Sequence, residues 1–166
     1  MKHAALTAEP DRDAPKTGIA NRPSVANALT GVLADSYVLM VKTQGYHWNV
    51  VGPLFKPIHD LTEEHYRDLF EAIDTLAERV RTLGEVAPMA FTDMLADAAL
   101  SEEESERSAG CMIGQLISDH ETLARRMRDL AQLAAESRDG ATEDLANSRM
   151  AFHEEAVWML RAIAAD

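Results

Sequence analysis

Residues 44–66 read QGYHWNVVGPLFKPIHDLTEEHY, and the break formed by Gly52, Pro53 and Pro57 divides two long helical patterns. Upstream of it, Val25, Leu29, Leu33, Met40 and His47 fall on one stripe at about 100° per residue. The first helix is therefore expected to start at Ser24, an N-cap candidate after Pro23, and to run to about Asn49. Val38, Leu39 and Val41 carry apolar area to other sides of it, which points to burial against more than one neighbour, a second subunit among them. Downstream, a second helix opens near Pro57, a residue suited to a first helical turn, and closes at Gly84, a natural residue just past a helix end. Two long helices joined by a short turn make a hairpin.

The C-terminal half repeats this arrangement. Ser101 and Glu104 in "SEEES" can form a capping box for a third helix. Ala109, Ile113, Leu116, His120, Leu123, Met127, Leu130 and Ala134 then recur at alternating three- and four-residue spacing, the seam of a bundle. Gly140 should end that helix and Thr142 cap a fourth, whose stripe is Leu145, Phe152, Ala156, Met159 and Ile163. Residues 85–100 between the hairpins are long enough to cross a bundle and carry a short helix after Thr92. Short first and third connections with a long middle one describe an all-α, ferritin-like four-helix bundle over residues 23–166.

Composition agrees with helices. Hydrophobic residues are 46% of the 166 and aromatics only 5%, a balance that suits Leu, Ala, Ile and Met packing rather than a sheet. The net charge of −12 argues against a body that grips nucleic acid. Residues 1–22 lack periodicity and read as a mobile tail. The tail's Lys2, Arg12, Lys16 and Arg22 are nearly offset by Glu9, Asp11 and Asp13, so it is a weak basic arm. The single cysteine, Cys111, reads as a small buried apolar residue and excludes an intrachain disulfide. No apolar run reads as a membrane span and no signal-peptide core is visible, so a cytoplasmic protein without a membrane partner is expected.

The bundle interior offers no Glu-x-x-His pair, which an internal di-iron site requires, and His120 reads as a hydrogen-bonded core histidine. The second helix differs. His59, Glu63, Asp74 and Glu78 lie within roughly 100° of arc, as two pairs spaced i, i+4. The pairs stand roughly 22 Å apart along the axis, too far for one helix to bring together. Two copies of that helix packed antiparallel about a two-fold axis would place His59 and Glu63 of one beside Asp74 and Glu78 of the other, making two identical sites. His47 can add a second imidazole. Imidazole and carboxylate without sulfur suit Fe(II) first, then Mn(II) or Zn(II). The competing reading is a solvated acidic face, with Asp60, Glu64, Asp68 and Glu71 beside it and Arg67 and Arg81 pairing Asp74 and Glu78.

"YHWNVVGPLF", "IHDLTEEHY" and "AIDTLAERVRTLG", in this order and spacing, resemble the Dps family, the mini-ferritins that protect bacterial DNA in starvation and oxidative stress. The resemblance covers residues from about 24 to 165. It implies a hollow homo-dodecamer built from two-fold dimers, with ferroxidase sites at the two-fold interfaces. His47 and His59 would bind iron from one subunit, and Asp74 and Glu78 from its neighbour. Glu63 stands where many members have Asp, one methylene shorter, and Trp48 stands where the family commonly has a tryptophan beside the iron. The implied activity is oxidation of Fe(II), hydrogen peroxide being preferred over oxygen, with Fe(III) stored in the cavity. The family's acidic three-fold pores could draw on Asp139 or Asp144, which read equally well as turn and helix N-terminal residues. Members that bind DNA directly often use a Lys-rich tail. A nucleoid-associated protein acting by physical protection of DNA is the alternative, and the weakly charged tail argues against direct binding.

Overall fold

The computed structural model describes residues 8–11, 14–102 and 108–165. Among these lie five helices and no strand: α1 (Arg22–Asn49), α2 (Phe55–Thr82), α3 (Phe91–Asp97), α4 (Ala109–Glu136) and α5 (Gly140–Ile163). α1 packs along α2 and α4 along α5, the two hairpins join chiefly through α1 and α4, and α3 lies on α1. The expected bundle with its helical crossover is thus present. Its core draws on every long helix, with Leu29, Leu33 and Leu39 of α1, Ile58, Leu69 and Leu76 of α2, Ile113, Leu116, Leu123 and Met127 of α4, and Leu160 of α5 fully buried. Each such side chain contributes about 1.5–3 kcal/mol on burial.

α1 is buried nearly all round, and its neighbours belong to its own chain. Val38 and Leu39, expected to need another subunit, are covered within the bundle, whereas Val41 stays exposed. By length and composition α1 could cross a membrane, which the sequence reading had not allowed; 67% of its most apolar window is buried inside the fold, as a core helix requires.

The helix ends correct several expectations. α1 starts at Arg22, with Pro23 in its first turn and Asn21 before it at φ 51, so Ser24 is not its cap. Residues 101–102 are not helical; α4 starts at Ala109, where the Ser108 side chain accepts from the Cys111 N–H, and Glu104 lies outside the described residues. Cys111 is only half-buried. Gly84 does end α2: at φ 96 its N–H donates to the Arg81 carbonyl while Glu85 N–H reaches Val80 O, the paired bonds of a Schellman ending. α4 closes in the same way, but with Arg138 rather than a glycine at the left-handed position, φ 59. Gly140 is the first residue of α5, and Asp139, not Thr142, caps it by accepting from Thr142 N–H at 3.1 Å. Described residues of the stretch expected to be a free tail also make contacts. Asp11 N–H donates to Gly84 O, Ala20 N–H donates to Ser137 O, and Ala14 is buried against Gly84.

Three ion pairs buried on at least one side stitch the helices together. Lys42 meets Asp119 at 2.6 Å, and Arg79 meets Asp139 at 2.5 Å. Asp35, wholly buried in α1, pairs with Arg126 of α4 and accepts from the N–H groups of Ala99 and Leu100 at 2.7 and 2.9 Å. Asp35→Ala should cost about 3–5 kcal/mol, because it strands a guanidinium and two backbone donors. Chaotrope unfolding, compared with an exposed control such as Asp60→Ala, checks this.

Candidate metal centre

His47 closes α1 and His59 lies in the first turns of α2, so the turn through Gly52 at φ 98 folds one imidazole over the other. Their rings stack at 3.8 Å between centroids, inclined by 17°. The two residues also bond reciprocally. His47 Nδ1 lies 2.8 Å from the His59 carbonyl and His59 Nδ1 lies 3.0 Å from the His47 carbonyl. A carbonyl only accepts, so both rings must carry a hydrogen on Nδ1, which leaves Nε2 of each as the nitrogen that can ligate. The His47 carbonyl is one of the last four of α1, which have no partner within the helix, so this clasp also satisfies a helix end. Phe55 stacks on His59 at 5.0 Å and Tyr66 meets His47 edge-on at 5.3 Å, which leaves the rings little freedom. Thr62, buried beneath them, donates to Ile58 O. These three neighbours escaped the sequence reading, although Thr62 and Tyr66 share His59's face at three and seven residues' distance.

Glu63 completes the cluster: one potential ligand atom from each of His47, His59 and Glu63 lies within 4.8 Å of the others. His47 is buried, while His59 and Glu63 are half-buried, open on one side. Glu63 is paired to Arg67 one turn on. Asp74 and Glu78 do not join this cluster. They stand exposed further along α2, and the pairing proposed for them with Arg67 and Arg81 is absent, since Arg81 donates to the carbonyls of Glu85 and Glu9. Among the described residues neither carboxylate has an ion-pair partner. Of the other acidic residues on this helix, Asp60 pairs with Lys56 and Asp68 with Arg149. Trp48 is exposed beside His47. Asp139 is buried, held by Arg79 and caps α5, the helix N-terminal role it also read as, whereas Asp144 is exposed.

Two imidazoles and one carboxylate that converge in this way could supply half of a first-row metal site, strong in nitrogen and open to further oxygen ligands. The outer side of α2 beyond it is largely acidic, with one large uncovered aromatic side chain. Phe70 is 67% exposed one turn before Asp74, and with Tyr37 and Met94 it lines a groove that includes Asp74.

The ferritin-like domain family matches residues 26–166. A low temperature-induced protein of Nostoc sp. is 46% identical over 143 residues, 85% of this chain and 80% of the relative. The DNA protection during starvation protein of Brevibacillus brevis is 36% identical, across 83% of this chain and 93% of its own length. Among solved structures, Dps of Vibrio cholerae, described as belonging to a superfamily of ferritin-like diiron-carboxylate proteins, superposes with a TM-score of 0.82 at 34% identity, covering 87% of this chain and 91% of that one.

Arg67 competes with any cation for Glu63. Such a half-exposed pair is worth about 0.5 kcal/mol, so Arg67→Gln should tighten divalent-cation binding at this face two- to threefold by titration calorimetry.

Proposed function

Given that the chain belongs to the Dps family of ferritin-like proteins, we propose that it captures Fe(II) between two-fold-related copies, oxidises it, and stores Fe(III) inside a hollow dodecamer. The removal of iron and peroxide protects DNA. The observation that carries this reading is the convergence of His47, His59 and Glu63 with Nε2 of each ring left to ligate. A second copy of α2, antiparallel to the first, would set Asp74 and Glu78 of the partner subunit opposite that cluster. The unpaired state of those carboxylates and the exposed Phe70 beside them support such a seat.

Iron is here the substrate. The imidazoles hold it while it is reduced, and the carboxylates favour the more highly charged oxidised ion, so the donor set itself pulls the reaction forward. Hydrogen peroxide is the proposed oxidant. Two Fe(II) ions each give one electron, the O–O bond breaks, and both oxygens leave as water with two protons taken up, so no hydroxyl radical escapes. Arg67 draws on the Glu63 carboxylate and so competes with the ion for it, while the extra methylene of Glu relative to Asp extends its reach. Protection is chemical rather than by coating DNA, because a dodecamer of chains at −12 each carries about −144 and repels a duplex at long range. The cytoplasm, where DNA and free iron meet, is the proposed location.

His59→Ala combined with Asp74→Ala should slow ferric absorbance growth after peroxide addition at least about tenfold while light scattering still reports the assembly. Unchanged kinetics would remove the proposed site. Parallel additions of oxygen and of peroxide to anaerobically loaded protein read the oxidant: faster ferric growth with peroxide is expected, and faster growth with oxygen would overturn that preference.

A further inference from the structure

Three more histidines meet inside the bundle, one from each of three helices: His65 of α2, His120 of α4 and His153 of α5. His120 and His153 are wholly buried and His65 is 4% exposed. The His120 and His153 rings face each other with their Nδ1 atoms 2.9 Å apart, and the His65 ring lies 5.3 Å from that of His120. Phe152 closes the cluster with edge-on contacts to His65 and His153. The expectation that His120 is a hydrogen-bonded core residue is met, but its partner is another imidazole, and this bond leaves much unanswered. One Nδ1 must donate and the other accept, so one ring keeps a bare Nε2 and the other an Nε2–H. Both Nε2 atoms, and Nδ1 of His65, are buried without any hydrogen-bond partner. Three orphaned imidazole nitrogens in one core are not explained by packing, since phenylalanine or leucine would fill the same space.

We propose that His65, His120 and His153 form a second, interior cation site that takes a borderline divalent ion of the Zn(II) class, separate from the iron-binding face of α2. The donor set selects this class. Three neutral imidazoles suit Zn(II), with a fourth position for water, and no carboxylate belongs to the trio to favour a hard ion. Burial holds the two innermost rings neutral, pushing His153 down to about 3 and His120 far below its usual value. No proton then has to be displaced from a charged ring at neutral pH. The charged groups around the trio are Asp68 and Arg149. They pair at 2.6 Å, and the Arg149 guanidinium lies 4.3 Å above the Phe152 ring; its positive charge still bears on His120 and His153, so the ring nitrogens must hold the ion against it. Zn–N bonds of about 2.0–2.1 Å place tetrahedral ligand nitrogens about 3.3 Å apart, so the facing Nδ1 atoms of His120 and His153 need open only slightly from 2.9 Å, each ring then carrying its hydrogen on Nε2. His65 must turn about χ2, a broad torsion, to bring in its free nitrogen.

The test uses assembled protein carrying His59→Ala and Asp74→Ala, which disables the iron-binding face. After chelation and dialysis against Zn(II), elemental analysis should find about one zinc per chain, and X-ray absorption should show a nitrogen-dominated shell with about three imidazoles. Adding His120→Gln and His153→Gln should return zinc to background. No zinc in the first variant, zinc unaffected by the glutamines, or an oxygen-dominated shell would each overturn the site. Should the four-residue variant fail to assemble, the imidazole count from absorption on the first variant decides alone. The iron reading stands or falls separately, by oxidation kinetics.

Discussion

A carboxylate with no access to water holds the two hairpins in register. Asp35 sits in the middle of the most apolar helix, where an unpaired charge would be prohibitive, so it must have Arg126 from α4 and the two N–H groups at the end of the crossover. One residue thereby fixes α1 against α4 and fixes where residues 98–100 pass. With α1 enclosed by α2, α3 and α4, the outer side of α2 is left as the surface free to carry chemistry. The site owes its exposure to this enclosure.

The hairpin architecture was legible because the seam residues repeat faithfully and because Gly52 and Gly84 stand where the backbone must turn left-handed. The capping residues were less legible. Ser24 and Thr142 are good cap types, but Pro23 starts α1 without a side-chain cap and Asp139 outcompetes Thr142 because it also accepts from Arg79, a contact 60 residues distant. Arg138 takes a conformation that glycine would adopt at lower cost, and no local rule points to it. The partners of His120 were hidden for a related reason. Their meeting depends on how three helices are rotated about their axes, and single-helix periodicity leaves that rotation undetermined.

At the proposed iron-binding face, spacing on α2 gave the residues but not their state. Separation along one helix shows that His59 and Glu63 belong together and Asp74 and Glu78 elsewhere. It does not show that each histidine donates Nδ1 to the other's carbonyl, which sets the tautomer and hence the ligating atom. That clasp depends on a turn short enough to superpose the end of α1 on the start of α2. The turn's glycine and prolines therefore shape the ligand geometry without touching a ligand.

The five described histidines make a controlled comparison inside one bundle. His47 and His59 satisfy one nitrogen with a backbone carbonyl and direct the other toward an open side, an arrangement suited to ions that arrive, react and leave. His65, His120 and His153 have no carbonyl to fix them and no open side, so an ion held there would exchange slowly and share no solvent with an ion on the outer face of α2. Turnover needs the first environment, and retention needs the second. The same side-chain chemistry is thus divided by backbone contact and burial alone, the two quantities that the helix packing sets.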